Sequence, residues 1–399
     1  MIKKITILIL TLCLNDLISG QSLSEFLDQV SANNPEIVAY RKLLEARRIE
    51  ARTGLVPSDP FISAGFMPGN TYEAGNKKTW SVSQSFDFPT KYLLQKKINN
   101  STILLAEQEF NLGRLLVLKE AEMTLFDLIY NIKALNVLNG RKAGYDSLRS
   151  AWQRMLETGE TTIMDYNKIL LELSAITLEI TKRKTAVEML KEKIRYMSGS
   201  NEYVSITEEY PIFTVPDFDQ LISEKSEIHP SFLIPEIEYL IKNQEVRLTR
   251  TGSLPGFQIG YQSEVLPEAA YTGPVAGLTI PLWANSNRIR SASAAAGHSA
   301  ALRDAVIMKL KSQSRSDYSN MLALQKSIAE IGSILESGGG TRYPDIALAS
   351  GEISVTTWFM YLEVLYESED RLLELENEYQ KALALLLDHE LINRPNSRY

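Results

Sequence analysis

The chain has 399 residues, of which 44% are hydrophobic and 23% charged, with a formal net charge of −7 at pH 7. That make-up is typical of a folded protein, and an acidic balance without a concentrated basic face excludes nucleic acid as a partner. The one cysteine, Cys13, sits in the leading segment, so the chain beyond it has no disulfide, thiol nucleophile or cysteine metal site.

In chain order, Lys3 and Lys4 precede the apolar run Ile5 to Leu14, and Ile18-Ser19-Gly20 then offers a small residue for cleavage. This pattern predicts a secretory signal peptide over 1–20. Leu12 is too bulky for a lipoprotein cleavage site before Cys13. No later apolar run reaches the ~18 residues that a spanning helix needs. An exported chain of this kind is either soluble or crosses an outer membrane as strands.

Beyond a helix opened by Asn34-Pro35, the spacing predicts strands over Phe61 to Phe66 and Thr79 to Phe88, joined by a polar loop from Met67 to Lys78. In the second strand Trp80, Val82, Phe86 and Phe88 alternate with Ser81, Ser83, Ser85 and Asp87, giving one apolar and one wet face. From Lys91 to Glu157 there is no proline and only the isolated glycines Gly113, Gly140 and Gly144, so the segment reads as a helix of about 100 Å at ~1.5 Å per residue. A turn at Glu157 to Thr162 follows. The returning helix carries a seven-residue seam, Tyr166, Leu173, Ile180, Val187 and Ile194, flanked by Ile169, Ile176, Leu190 and Met197. Such a repeat calls for left-handed supercoiling against neighbouring helices.

Residues 201–228, with Pro211 and Pro216, read as a connector that forms a mixed equatorial region with the tails. The pattern then begins again. His229-Pro230 answers Asn34-Pro35, Arg250-Thr251-Gly252 repeats Arg52-Thr53-Gly54, and Gly351-Glu352-Ile353-Ser354-Val355 answers Gly159-Glu160-Thr161-Thr162-Ile163, each about 195 residues on. Strands are expected at Phe257 to Gln262 and Val275 to Trp283, with a loop from Ser263 to Thr272. The seam returns as Trp358, Leu365, Leu372, Tyr379 and Leu386. The predicted organisation is therefore a first repeat over 21–200, the connector, a second repeat over 229–390 and a tail over 391–399. Only the second half has Gly338-Gly339-Gly340, either a hinge or a local unwound turn. Four strands cannot close a barrel, which needs roughly eight, and an open edge cannot face lipid, so several copies must share one.

These residues resemble the bacterial outer membrane efflux proteins, the TolC-like family, over nearly the whole chain from Asn34 to about His389. The resemblance is carried by Ser81-Val82-Ser83-Gln84 leading to Phe88-Pro89-Thr90-Lys91, by Gly277-Leu278-Thr279-Ile280-Pro281-Leu282-Trp283, by Arg154 with Gly159 and Asp165, and by Pro344 with Gly351. It implies a mainly α chain with a small membrane β-barrel. Long heptad helices would form an α-helical tunnel, and each chain would lend four strands to a twelve-stranded barrel shared by a homotrimer. It further implies an exit duct in the outer membrane of a Gram-negative bacterium that reaches into the periplasm, embedded in outer-membrane lipid. The partners would be a periplasmic adaptor protein and a proton-driven inner-membrane pump. Gln84 and the Pro89-Thr90-Lys91 turn look most like the heavy-metal cation branch, ahead of drug efflux and type I secretion. A periplasmic coiled-coil structural or adaptor protein without a barrel is the alternative of a different class.

The expected sites follow from both readings. Gly159, Glu160, Thr161 and Thr162, with Gly351, Glu352, Ile353 and Ser354, form the tip where an adaptor would dock: glycine permits the turn, hydroxyls cap the next helix and glutamates add charge. Asp165 is the pore-gate candidate. The second half has Thr357 at the matching place, and Met360 where the family carries a further acid. Ser81, Ser83, Ser85 and Asp87 are the expected barrel lumen. The histidines, His229, His298 and His389, share no metal-ligand spacing, and Met155 and Met164 near the tip read as packing. No nucleophile elbow, phosphate loop or acid pair marks an enzyme, and neither cofactor nor resident metal is expected.

Overall fold

The computed structural model describes residues 22–70, 75–200, 209–283 and 285–393. The signal peptide, the first part of the connector and the last residues of the tail lie outside the described residues. The helices, in chain order, are α1 (Leu23–Asn33), α2 (Pro35–Glu50), α3 (Pro89–Thr158), α4 (Ile163–Ser198), α5 (Phe218–Ile228), α6 (Pro230–Thr251), α7 (Ser286–Ser337), α8 (Arg342–Ala349) and α9 (Val355–Leu386). Strands β1 (Phe61–Pro68) and β2 (Asn76–Phe86) lie between α2 and α3, and β3 (Gly256–Val265) and β4 (Ala270–Thr279) between α6 and α7. The order two helices, two strands, long helix, returning helix thus occurs twice, with the short α8 inserted before the returning helix of the second half. A 3₁₀ segment, Asp388–Asn393, closes the described chain.

The start of each half is set by a matching cap. Asn34 accepts the backbone N–H groups of Glu36 (2.9 Å) and Ile37 (3.2 Å) on its Oδ1, while its Nδ2 donates to the Met197 carbonyl at 3.0 Å. His229 does the same work for α6, its Nδ1 accepting from Ser231 N–H at 3.1 Å. In both, proline occupies the first helical position, where no backbone donor is needed. Within the stretch read as a connector, residues 218–228 are helical, and α5 precedes α6 as α1 precedes α2.

Two compact units are formed. One consists of Tyr40–Leu112 and Lys225–Lys311 and holds the sheet. Its strands run antiparallel in the order β1-β2-β3-β4, and the central pair, β2 with β3, joins the two halves of the chain from Lys78↔Val265 to Phe86↔Phe257. The first hairpin matches its expected strands closely. The second is corrected: β3 continues to Val265, the turn is only Leu266 to Ala269, and β4 runs over Ala270–Thr279, so Ile280 to Trp283 is not strand. β4 contains Gly273, Pro274 and Gly277 with few β-branched residues, which hid its alternation. As the last strand of the sheet it tolerates a proline. Below the sheet Ile98, Ile237 and Ile241 form a small helical core.

The other unit comprises the described residues of Met1–Ala39, Gly113–Glu224 and Ser312–Tyr399. One of its cores gathers a heptad stripe from each of three helices: Leu138, Tyr145 and Trp152 of α3, Ile169, Leu173, Ile176 and Ile180 of α4, and Trp358, Phe359, Leu362 and Leu365 of α9. Burial of each such side chain contributes roughly 1.5–3 kcal/mol before entropy is charged against it. The expected seam of α4 is buried at Leu173, Ile180, Val187 and Ile194, whereas in α9 Leu372 and Tyr379 are half-buried and Leu375 takes the interior place. A second cluster joins Leu221, Met321, Leu383 and Leu386. Within this unit Gly338 to Gly340 is an unwound turn: Gly339 and Gly340 have φ of +70° and +59°, which ends α7 and starts the separate helix α8.

Replacing Asn34 with alanine removes an acceptor for two N–H groups and a donor to Met197. It is expected to lower stability by about 1–2 kcal/mol. Asn34→Ser, which keeps a cap acceptor and loses the donor to Met197, should fall between the two, as read by calorimetric melting of the purified protein.

Candidate functional site

The two turns of the helical unit have one geometry. After α3, Gly159 adopts φ +79°, its N–H reaches the Leu156 carbonyl at 3.2 Å, and Glu160 N–H reaches Met155 at 2.8 Å. After α8, Gly351 adopts φ +75°, its N–H reaches Leu348 at 3.1 Å, and Glu352 N–H reaches Ala347 at 2.9 Å. Both are glycine-terminated helix ends in which the left-handed residue lets the chain satisfy the last carbonyls. A residue with a Cβ is strained there, although nothing else crowds either glycine.

The next helix starts alike in both. Thr162 Oγ1 accepts from Asp165 N–H at 3.2 Å and donates to its Oδ2 at 2.6 Å. Ser354 Oγ accepts from Thr357 N–H at 3.2 Å, and the two hydroxyls lie 2.9 Å apart. Asp165 and Thr357 are therefore the same structural residue, the third of a capped helix, which explains why a threonine can stand where the first half has an acid. Asp165 keeps a favourable position for negative charge at a helix N-terminus. Gly159, Glu160, Thr162, Gly351, Glu352 and Ser354 are exposed, Thr161 and Ile353 half-buried. Met164 (79% exposed) and Met360 (61%) extend an uncovered apolar strip from each turn along α4 and α9.

The sheet carries the second set of expected residues. Its register puts Ile62, Trp80, Val82, Phe86, Phe257, Ile259, Tyr261 and Leu278 on one face. Ile62 is 72% and Ile259 56% exposed, and Trp80 lies 5.9 Å from the Tyr261 ring. Gln84, Ser263 and Thr272 share this face, but large exposed apolar side chains predominate on it, and such a surface on a folded protein marks contact with another apolar phase or chain. The opposite face holds Ser63, Ser81, Ser83, Ser85, Gln258 and Gln262, with the exposed apolar side chains of Phe61, Met67, Tyr271 and Val275 on its outer strands β1 and β4. Ser63 and Ser81 hydroxyls are 2.8 Å apart, Gln258 Nε2 donates to Ser83 Oγ at 2.9 Å, and Lys77 pairs with Glu264. Asp87 departs from the expected pattern: β2 stops at Phe86, so Asp87 is no strand residue. Its carboxylate pairs with Lys91 at 2.7 Å at the entry to α3, and its N–H donates to the Tyr92 hydroxyl.

One polar centre had no signal in the sequence. Arg141, buried on α3, donates to Glu369 and Asp370 at 2.9 Å each and to the Tyr366 carbonyl at 3.1 Å, with its guanidinium 4.3 Å from the Tyr366 ring. Burial opposes its charge, and the hydrogen bonds to Asp370 and Glu369 outweigh that, so its pKa is raised. The partners lie more than two hundred residues away in sequence, beyond the reach of local spacing. Among the described residues no group of His, Cys, Asp or Glu could hold a metal ion, and no helix is long and apolar enough to cross a membrane.

No family model matches the sequence, and no curated protein matches it either. Solved structures do match in fold. CusC, described in terms of folding and transmembrane channel formation, is 13% identical with a TM-score of 0.78, covering 92% of this chain and 91% of its own. The outer-membrane channel OprN is 14% identical with a TM-score of 0.76, over 94% of this chain and 91% of its own. The outer membrane channel CmeC of Campylobacter jejuni is 14% identical with a TM-score of 0.71, over 94% and 87%. The chain has the fold of these channels, the TolC-like arrangement of long helices and four strands.

The paired turns give a direct check on this geometry. Gly159→Ala and Gly351→Ala should each cost about 1–2 kcal/mol through left-handed backbone strain. Amide exchange should accelerate at Glu160 or Glu352, while the amides around Ile169 and Leu362 stay protected.

Proposed function

We propose that the chain is an outer-membrane exit duct of the TolC-like family: a passive channel of a tripartite pump, assembled as a homotrimer. The observation that carries this reading is a four-stranded sheet with one mainly apolar face and one that is polar along β2 and β3, open at both edges. In that role the apolar face meets outer-membrane lipid. The face of Ser81, Ser83 and Ser85 lines water, and three sheets complete one twelve-stranded barrel. The helices of three chains line the periplasmic passage. A periplasmic adaptor docks on the paired turns at Gly159 to Thr162 and Gly351 to Ser354, and an inner-membrane pump, proton-driven, supplies the energy.

Several observations support the assignment. The exposed glycine turns are duplicated, which suits an adaptor contacting both in equivalent fashion, and their exposed apolar strips supply contact area. The solved structures that share the fold are outer-membrane channels. For cargo we favour metal cations over other small toxic compounds, on the resemblance of Gln84 and Pro89-Thr90-Lys91 to the heavy-metal branch. A strain lacking the protein should then lose resistance to metal cations before it loses resistance to drugs. A periplasmic rod has no use for the amphipathic strands.

Cysteine placed at Ser83 or Ser85 should react with a water-soluble thiol reagent in the assembled protein, and cysteine at Trp80 or Phe86 with a lipid-borne one, following the two-residue period of strands. Labelling in the reverse pattern, or equally by both reagents, contradicts the barrel. Exchanging Gly159 and Gly351 together for valine should leave the trimer in the membrane and abolish export; normal resistance at normal protein level would take the docking role away from these turns.

Asp165 is proposed as the residue that narrows the passage, one carboxylate from each of three chains. Charge confined in a narrow pore acts with little screening. Asp165→Asn retains an oxygen for the Thr162 cap, and planar-bilayer recordings should show higher conductance or weaker block by cations. Wild-type values for both place the gate elsewhere.

A further inference from the structure

Close to the second turn, α3, α8 and α9 enclose a cleft of about 940 Å3. Half-buried Tyr366 and Leu348 contribute surface to it, and the core side chains of Tyr145, Trp152, Trp358 and Leu362, each at most 4% exposed, form its floor. Volume and apolar character are those of a small-molecule site rather than a packing defect. Charge then selects the occupant. Asp165 and Asp345 both line the cleft, and no lysine, arginine or histidine does. Among the described residues neither carboxylate forms an ion pair. Asp345 accepts from the Trp358 indole Nε1–H at 2.8 Å, and Asp165 is held by the Thr162 cap. Two carboxylates beside an apolar wall, with no cation among the lining residues, are the setting in which a bound organic cation gains from charge and from an aromatic ring together.

We propose that this cleft binds a compact amphipathic organic cation, of the quaternary ammonium or phosphonium type. Its charge sits between Asp165 and Asp345, and its apolar groups lie against Leu348 and the surrounding aromatic rings. The occupant touches α3, α8 and the turn at Ile353 to Val355 at once. It therefore fastens α8, which the unwound glycines separate from α7, to the rest of the wall. This assignment is independent of transport: a protein that binds the cation and exports nothing would overturn the duct and leave the cleft standing.

The test is a titration of the purified full-length protein in neutral detergent with tetraphenylphosphonium, followed by calorimetry and tryptophan fluorescence, with triphenylphosphine oxide as the uncharged comparator. One saturable site per chain is expected, with the oxide about tenfold weaker or more. Asp345→Asn still offers an oxygen to the Trp358 indole, so the fold is kept while affinity for the phosphonium falls several-fold and that for the oxide does not change. Leu348→Trp, which fills the space, should remove saturable binding without lowering the melting temperature. Equal binding of phosphonium and oxide, or unaltered phosphonium affinity in both variants, overturns the proposal. Binding seen only in dissociated single chains overturns it too, because the cleft would then belong to a neighbouring copy.

Discussion

The backbone hydrogen bonds of the sheet constrain everything else in this chain. β2 and β3 are satisfied on both sides, but β1 and β4 each have one ladder and one open edge. Lipid offers no hydrogen-bond partner, and an unsatisfied peptide group there costs several kcal/mol, so such edges cannot end in a membrane. Nor can four strands curl far enough to pair with themselves. In the proposed membrane setting, a sheet with a mainly apolar uncovered face would therefore find its missing partners in further copies of the same sheet. The reading of the chain as a shared channel rests on that requirement more than on any single residue.

Duplication shows how the sequence meets it. Each half supplies one hairpin, and the two hairpins meet in the long β2–β3 ladder. Each half also supplies a capped entry, at Asn34 and at His229, and a glycine-ended exit, at Gly159 and at Gly351. Two halves of this kind carry turns of one geometry, so three chains in the proposed assembly would offer six related turns. Where the halves differ, the cause is local. The glycines at 338 to 340 interrupt the second long helix, and Thr357 replaces the acid of the first turn without disturbing the cap.

Much of this was legible in the sequence because it depends on short-range periodicity. The seven-residue seam, the alternating strand at Trp80 to Phe86 and the glycine turns are all local signals, and each reappears about 195 residues later. β4 was misplaced because Ala270–Thr279 carries glycine, alanine and proline where a periodic strand would carry β-branched residues. Asp87 was assigned to the lumen by alternation, yet the strand ends one residue before it, a boundary set by Pro89 at the start of α3. The Arg141 centre and the cleft at Asp345 and Trp358 are invisible in the sequence because α3 meets α9 in the first, and α3 and α4 meet α8 and α9 in the second, far apart in the chain. No local pattern encodes such contacts.

The most direct test of the account is the number of chains that share one barrel. Native mass spectrometry of the protein extracted from the outer membrane into detergent should give three copies, with heating converting them to single chains as the strand signal at amide I is lost. A single folded chain, recovered with its strands intact from the soluble periplasm, would mean that the sheet edges are closed in some other way and would contradict the account.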